Sequence, residues 1–468
     1  MSTLTVRAPA TGEALGQAEQ RTAADVGAIV ATARGALGDW RRAAPHERAD
    51  ALRRASAALL REVETLALLH AAESGKVLTQ ARSEIRGAAR LLEANAELGR
   101  MWSGSIAPTG AFPGGDRDLT LIERVPLGVV VTVIPFNFPV ELTIEKAAAA
   151  IATGNVAIVK LPPQNPLTTA RVIEIIHEAG VPPAVLQAVS GDVEMAAALC
   201  SAPGVDAVSL TGSVGAGVAV ATSTAALLRP LFLELGGNGA AIVLPGADLE
   251  YVVSETLRGR LLMNGQACAA TKRIIAHRDI AAELTERLIA ELSSVSPADP
   301  TREDARLGPL INAAAATRVA SQVRMVTQQG GRLVLGDDES DAAWFAPAVL
   351  ADVPTTADVA HDDEIFGPVF PVIPVASDSE ALAVANGTTL RLTAAVFTPD
   401  LPRAMSIAEN LDFGGVVING TNNYRPPVVP FGGVAMAGTA REGIGYTIDE
   451  LTRSRFIAIR GLRGGRVQ

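Results

Sequence analysis

The sequence predicts an α/β protein built on parallel, doubly wound sheets, and three observations carry that prediction. From about residue 118, short apolar segments alternate with helical ones. The chain has 468 residues, enough for roughly two to three domains. Its composition is 48% hydrophobic and 19% charged, with a mean hydropathy of +0.27, as expected of a chain that folds around a core.

Residues 22–100 read as helices. "AADVGAIVATARGALGDW" and "ERADALRRASAALLREVETLALLHAAESG" place Ala, Leu and Val at helical spacing, and Gly75 is a stop signal. "LTLIERVPLGVVVTVIPF" is β-rich. "VELTIEKAAAAIATG" is helical and ends at Gly154. Strands then alternate with helices: "NVAIVKL", "LTTARVIEIIHEAG", "AVLQAVSG", "VEMAAALCSA", "GVDAVSLTG", "GAGVAVATSTAALL" and "PLFLELGG". Longer helices follow, such as "IAAELTERLIAELSSV". The C-terminal "RSRFIAIR" reads as a lone strand that must pair with something distant or with another subunit. No repeat, low-complexity tract or flexible linker interrupts the pattern.

Charge and cysteine content exclude several classes. A formal net charge of −10 gives no basic face for nucleic acid or an anionic membrane. Two cysteines, Cys200 and Cys268, make no disulfide framework, which fits a reducing compartment. "MSTLTVRAPATGEALG" has no basic segment followed by an apolar one, so no signal peptide is expected. The most apolar run, residues 125–140, is broken by Pro and Gly and too short to span a bilayer. A soluble cytoplasmic protein is expected. Of 40 basic residues only four are lysine, at 76, 146, 160 and 272. In so arginine-rich a chain, a lysine marks a place where a compact ammonium fits and a planar guanidinium does not, unless composition alone left it there.

Several stretches carry polar groups in apolar or glycine-rich settings. "SLTGSVGAGVAV" (209–220) ends a strand and opens a helix, a turn able to hold a phosphate on free N–H groups, although it departs from the usual G-x-G-x-x-G spacing. Glu234 in "LELGGNGAA" is either a strand end near solvent or a buried base. Asn137 in "VIPFNFPVELTIEK" is either a turn cap or an amide donor to an oxyanion. Glu364 and Phe366 precede a Gly-Pro turn, and residues 419–438 form a long turn-rich segment. Cys268 in "LLMNGQACAATKR" is either a small core residue or a nucleophile.

Taken in order, these stretches resemble the NAD(P)-dependent aldehyde dehydrogenase superfamily over essentially the whole chain. The matching motifs are "PFNFP" (135–139), "GNVAIVK" (154–160), "TGSVGAG" (211–217), "ELGG" (234–237), "GQAC" (265–268), "EIFGP" (364–368) and "PFGG" (430–433). The resemblance implies a Rossmann-like cofactor domain (1–107 and 127–235), an α/β catalytic domain (236–435) and a small β flap for oligomerisation (108–126 and 448–460). It implies a homodimer or homotetramer, and no metal. Cys268 is then the nucleophile, and the oxyanion is held by Asn137 and the Cys268 backbone N–H. The thiohemiacetal gives hydride to the nicotinamide, and Glu234 activates the water that hydrolyses the thioester. Lys146 matches a lysine near that glutamate. Lys160 reaches the adenosine ribose, Gly212 and Ser213 meet the pyrophosphate beside Gly217, Glu364 meets the nicotinamide ribose, and Phe366 lies beside the ring.

Departures from the family pattern shape the finer expectations. Where many NAD-preferring members carry Glu three residues after the motif lysine, this chain has Pro163. A 2′-phosphate then meets no repulsion, so NADP is expected to be accepted alongside or ahead of NAD. Glu145 precedes Lys146 where many members carry Trp or His, and it either faces the substrate tunnel or solvent. Phe138, Tyr424 and Arg425 are the other expected substrate contacts, Arg425 holding an acidic group on the aldehyde or else lying at a subunit interface. "IPFNFP" resembles members that oxidise benzaldehyde- or vanillin-type aldehydes, and the prolines after Lys160 resemble non-phosphorylating glyceraldehyde-3-phosphate dehydrogenases. A CoA-acylating enzyme or a non-catalytic paralogue are the alternatives. The retained Glu234 argues against the first, and Cys268 with Glu234 against the second.

Overall fold

The computed structural model describes residues 2–462; Met1, counted in the cofactor domain above, lies outside the described residues. Two seven-stranded sheets and a three-stranded sheet organise the chain. The first runs in the order Ser2–Arg7, Ala14–Arg21, Leu186–Gly191, Val156–Lys160, Val129–Val133, Ala207–Thr211, Leu231–Glu234. The five strands from Leu186–Gly191 to the edge strand Leu231–Glu234 pair in parallel and are rich in buried Val, Ile and Leu, because helices cover both faces. The helix Pro139–Ala152 is buried along almost its whole length, which its run of alanines permits.

The second sheet runs Arg332–Leu335, Ala348–Ala351, Val369–Val375, Arg273–His277, Ala240–Val243, Thr393–Phe397, Gly415–Ile418. It carries one apolar core on each face. In the third, Thr452–Ile459 pairs antiparallel with Leu119–Pro126, which pairs with Ser105–Ala107. The lone C-terminal strand therefore finds a partner far away in the same chain. Most of its side chains stay exposed, Phe456 at 73%.

One element was not expected. Residues Ser2–Arg7 and Ala14–Arg21 form an antiparallel hairpin that adds to the sheet edge through Gln20 and Arg21. Its alternation is mostly polar, and pairing with the edge, not burial of its own apolar face, fixes it.

In the first sheet, the chain goes from strand Val129–Val133 outward in one direction and then returns to place Ala207–Thr211 on the other side. Ligands in such sheets bind at the carboxyl ends of the strands, where the order reverses. Asn137, Lys160, Gly212 and Glu234 all lie at or just beyond those ends.

Candidate active site

The loop that carries Cys268 is built by an uncommon backbone. Met263, Asn264 and Gly265 take φ of 49°, 57° and 82°, three consecutive residues in the left-handed region. The Asn264 amide donates to the carbonyls of Gly75 and Pro309 and accepts from Gly308 N–H. Gln266 Oε1 accepts from Ile311 N–H. A Cβ on Gly265 would stand 2.2 Å from the Gly367 carbonyl carbon, so "GQAC" and "EIFGP" pack backbone against backbone. The loop is thus fixed from three sides before Cys268 is reached.

Cys268 faces a cavity of about 700 Å³, flanked by the small side chains of Ala267 and Ala269. Burial pushes its thiol up to about 11, against the pull of Lys272 and Arg425. Its backbone N–H donates to no acceptor among the described residues. Asn137 reaches the same cavity. Its amide donates one N–H to Gln266 O at 3.0 Å, while its Oδ1 accepts from Phe138 N–H. The second amide N–H is left over, and two donors are therefore available beside the sulfur.

Glu234 lines the same cavity from the end of its strand, and its Oε1 is buried without a hydrogen-bond partner among the described residues. Burial, and then the charge of Glu442, raise its carboxyl well above the usual range, with Lys146 and Arg425 opposing. A Cβ on Gly432 would stand 2.9 Å from that oxygen, so the glycine of "PFGG" keeps the space open. Glu442, which the sequence reading missed, anchors the charges behind it. One of its oxygens pairs with Lys146 and the other with Arg425 at 2.6 Å. Burial would raise its carboxyl, but Lys146 and Arg425 hold it low. Lys146 therefore acts on Glu234 across space and lies outside the cavity wall.

Along the other wall stand Thr211, Gly212, Ser213, Gly236, Glu364 and Phe366. Ser213 caps the helix Val214–Thr224, accepting from Ala216 N–H, and its own N–H and the next two have no acceptor among the described residues. That helix start can hold a phosphate. Gly217 sits further along it, where a Cβ would strike Leu235 at 2.6 Å, so it serves packing of helix on strand. A Cβ on Gly236 would stand 2.5 Å from Glu364 Oε2. Glu364 also pairs with Lys272, which donates to Gly237 O at 2.9 Å. Phe366 meets Phe136 edge-on at 6.2 Å. Lys160 ends its strand with its ammonium pushed down to about 8 by burial, Asp192 opposing. Pro163 follows in the adjoining loop. This set, a helix start, a half-buried carboxylate and a lysine with no ion-pair partner among the described residues, fits a dinucleotide.

On the substrate side, Phe138 lines the cavity with the Lys76 ammonium 3.8 Å from its ring centre. Two expectations are corrected. Glu145 does not touch the cavity: its carboxylate accepts from Gly443 N–H at 2.9 Å and from the Thr447 hydroxyl at 2.7 Å. The helix turns it toward the C-terminal segment, and Glu141, one turn earlier on the same side, reaches the cavity instead. Tyr424 is 58% exposed and does not line the cavity, while its neighbours Asn423 and Arg425 do. Arg425 lies over the Phe431 ring at 4.2 Å. Thr79, Gln80, Ser83 and Arg318 complete a wall that no motif signalled. Among the described residues, no group of three His, Cys, Asp or Glu is placed to hold a metal.

The model of the Aldehyde dehydrogenase family matches residues 1–457. The chain belongs to the aldehyde dehydrogenase family. It is 34% identical to a betaine aldehyde dehydrogenase of Cereibacter sphaeroides, over 96% of this chain and 92% of that one. The solved succinate-semialdehyde dehydrogenase of Burkholderia pseudomallei superposes with a TM-score of 0.94 at 33% identity, covering 98% of this chain and 95% of its own. The glyceraldehyde-3-phosphate dehydrogenase GapN of Methanocaldococcus jannaschii, solved with NADP, gives 0.93 at 30% identity, covering 98% and 99%. The protein is accordingly an aldehyde-oxidising oxidoreductase on the aldehyde dehydrogenase fold, and its family works with nicotinamide cofactors.

Proposed function

We propose that the enzyme converts an aldehyde to the free carboxylic acid through covalent catalysis at Cys268. The observation that carries this is the convergence of four groups on one cavity: the Cys268 sulfur, its unused backbone N–H, the spare N–H of Asn137 and the unpartnered Oε1 of Glu234. The sulfur gives its proton to water and adds to the carbonyl carbon as the thiolate, which leaves Glu234 for the later step. The oxygen that becomes negative is met by the two N–H donors. The bound dinucleotide supplies the hydride acceptor for the carbon held on sulfur. Glu234 then takes a proton from water as that water attacks the acyl carbon and the C–S bond breaks. Lys160, Gly212, Ser213, Glu364 and Phe366 are the residues proposed to hold the dinucleotide, with Gly217 shaping the helix that does so.

The absence of an acid at Pro163 and the buried ammonium of Lys160 support use of NADP as well as NAD. The exposed three-stranded sheet supports assembly of the chain as a homo-oligomer, a dimer or tetramer by sedimentation. Two free cysteines and no helix, among the described residues, long and apolar enough to cross a membrane are in keeping with a cytoplasmic enzyme. The acid-bearing substrate loses its support in the site, since Arg425 is already matched by Glu442 and stacked on Phe431.

The decisive test compares the enzyme with its Cys268→Ser and Glu234→Gln forms on butanal with each cofactor. Loss of all turnover in the first is expected. A fall of about 10²–10⁴ in steady-state rate with a retained burst of reduced cofactor is expected in the second. Full activity in Cys268→Ser would remove the mechanism, and a kcat/KM for NAD more than tenfold above that for NADP would remove the cofactor reading.

A further inference from the structure

We propose that Glu141 sets the substrate class of this enzyme, and that the class is a short aldehyde carrying a positively charged amino group at the end remote from the carbonyl. The inference rests on the aldehyde-oxidising reading of the Cys268 cavity and adds to it the chemistry of the far wall.

Glu141 faces the cavity, yet its carboxylate has no hydrogen bond and no ion pair among the described residues. Each neighbouring acid is spoken for. Glu84 takes His70, Lys76 and the N–H groups of Val140 and Glu141. Glu145 takes Gly443 and Thr447, and Glu442 takes Lys146 and Arg425. Glu141 is half-buried, and a carboxylate partly withdrawn from water without a partner is costly.

An ordinary structural reason for the residue is missing. An acid in the first turn of a helix commonly stabilises the positive end of its dipole. Here Glu84 already accepts two N–H groups at the start of the Pro139–Ala152 helix. A second carboxylate adds only the charges of Glu84 and Glu145 at close range. Burial and those two acids push the Glu141 carboxyl up, with Arg425 and Lys76 opposing. An amino group bound in the cavity supplies the missing partner.

The pairing of charges around the substrate wall points the same way. Lys76 pairs with Glu84, and Lys146 and Arg425 pair with Glu442, which leaves Glu141 with no ion-pair partner among the described residues. Arg90, exposed beside Gly87, makes no ion pair with Glu141 among the described residues, and Arg318 lines the cavity as well. A bound ammonium gives Glu141 a partner, whereas a carboxylate, sulfonate or phosphate beside it is repelled. Glu141 lines the same cavity as Asn137 and Cys268, four residues beyond Asn137 in the chain, so a short aldehyde is proposed to span from the sulfur to it.

The test measures kcat/KM for 3-aminopropanal, butanal and succinate semialdehyde with the enzyme and its Glu141→Gln form. The parent is expected to favour 3-aminopropanal over succinate semialdehyde at least tenfold. The ratio of 3-aminopropanal to butanal is expected to fall at least tenfold in Glu141→Gln, mainly through KM. A parent that prefers succinate semialdehyde, or a ratio that moves less than threefold, overturns the proposal. Should Glu141→Gln not fold, inhibition of butanal oxidation in the parent decides: propylamine must compete more strongly than propionate, and the reverse order overturns it. No turnover of any of the three aldehydes with either cofactor would instead strike the aldehyde-oxidising reading of the cavity.

Discussion

Neutralising Glu442 tests how the charges behind the nucleophile are held. Its two oxygens pair separately with Lys146 and Arg425; Glu442 and Lys146 are shielded from solvent and Arg425 is half-buried. In Glu442→Gln the shape survives but two cations share one neutral amide. Two unit charges 4 Å apart at an effective dielectric of 20 attract by about 4 kcal/mol. Removing one partner of a buried pair costs about 3–5 kcal/mol in practice. The urea midpoint, followed by tryptophan fluorescence, is therefore expected to fall by about 1 M or more for an m of about 3 kcal/mol/M. A second effect has a defined sign. Burial first, and then Glu442, raise the Glu234 carboxyl, while Lys146 and Arg425 lower it. Without the Glu442 charge the Glu234 carboxyl gives up its proton at lower pH, and the acid limb of kcat/KM moves down. A midpoint shifted by under 0.3 M (about 1 kcal/mol at that m), together with an acid limb that stays put or rises, would refute the coupling argued here.

Alkylation gives an independent view of Cys268. Because burial lifts its thiol to about 11, the iodoacetamide rate on the cofactor-free enzyme should keep climbing about 100-fold between pH 8 and 10, where a thiol of ordinary pKa near 8.5 levels off; a plateau by pH 9 would contradict the burial. Gly265→Ala meets both a positive φ and the Gly367 backbone at 2.2 Å, whereas Gly12→Ala meets a φ of 75° with open space around it. Thermal melting should therefore show Gly12→Ala down by about 1 kcal/mol and Gly265→Ala by about 3 kcal/mol or more; equal losses would deny the close approach.

The parallel sheets were legible in the sequence because their strands are buried on both faces. "VVVTV" and "VAIVK" have no polar alternation to confuse them, and the helices between begin and end at plain signals. The hairpin Ser2–Arg7 and Ala14–Arg21 was not legible, since its place comes from a sheet edge that no local pattern reveals. The same division runs through the site. Cys268, Asn137 and Glu234 stand at strand ends or on a loop whose neighbouring glycines are required locally. Glu145 and Glu141 stand on a helix, and which of them meets the cavity depends on how that helix is rotated against the segment at Gly443 and Thr447. Sequence spacing puts both on one side of the helix, and only packing separates them.

The lysines show what rarity can and cannot reveal. All four are buried, at 0, 1, 6 and 1% exposure for Lys76, Lys146, Lys160 and Lys272. Three of them meet a single carboxylate, in Glu84, Glu442 and Glu364. The chain also buries Arg260 and Arg273 completely, and these do something different. Arg260 donates to the carbonyls of Val369 and Ile365, and Arg273 to those of Asn238, Ala360, Val384 and Ala385. A planar fork with five donors suits several carbonyls spread around it, whereas a compact ammonium suits one acid in a narrow space. The choice of cation thus follows the shape of its acceptor, which is why scarcity among 40 basic residues pointed to buried sites. No such contrast exists among the 50 acids, so Glu442 and Glu141 looked like any others until the fold placed one against two cations and the other against none.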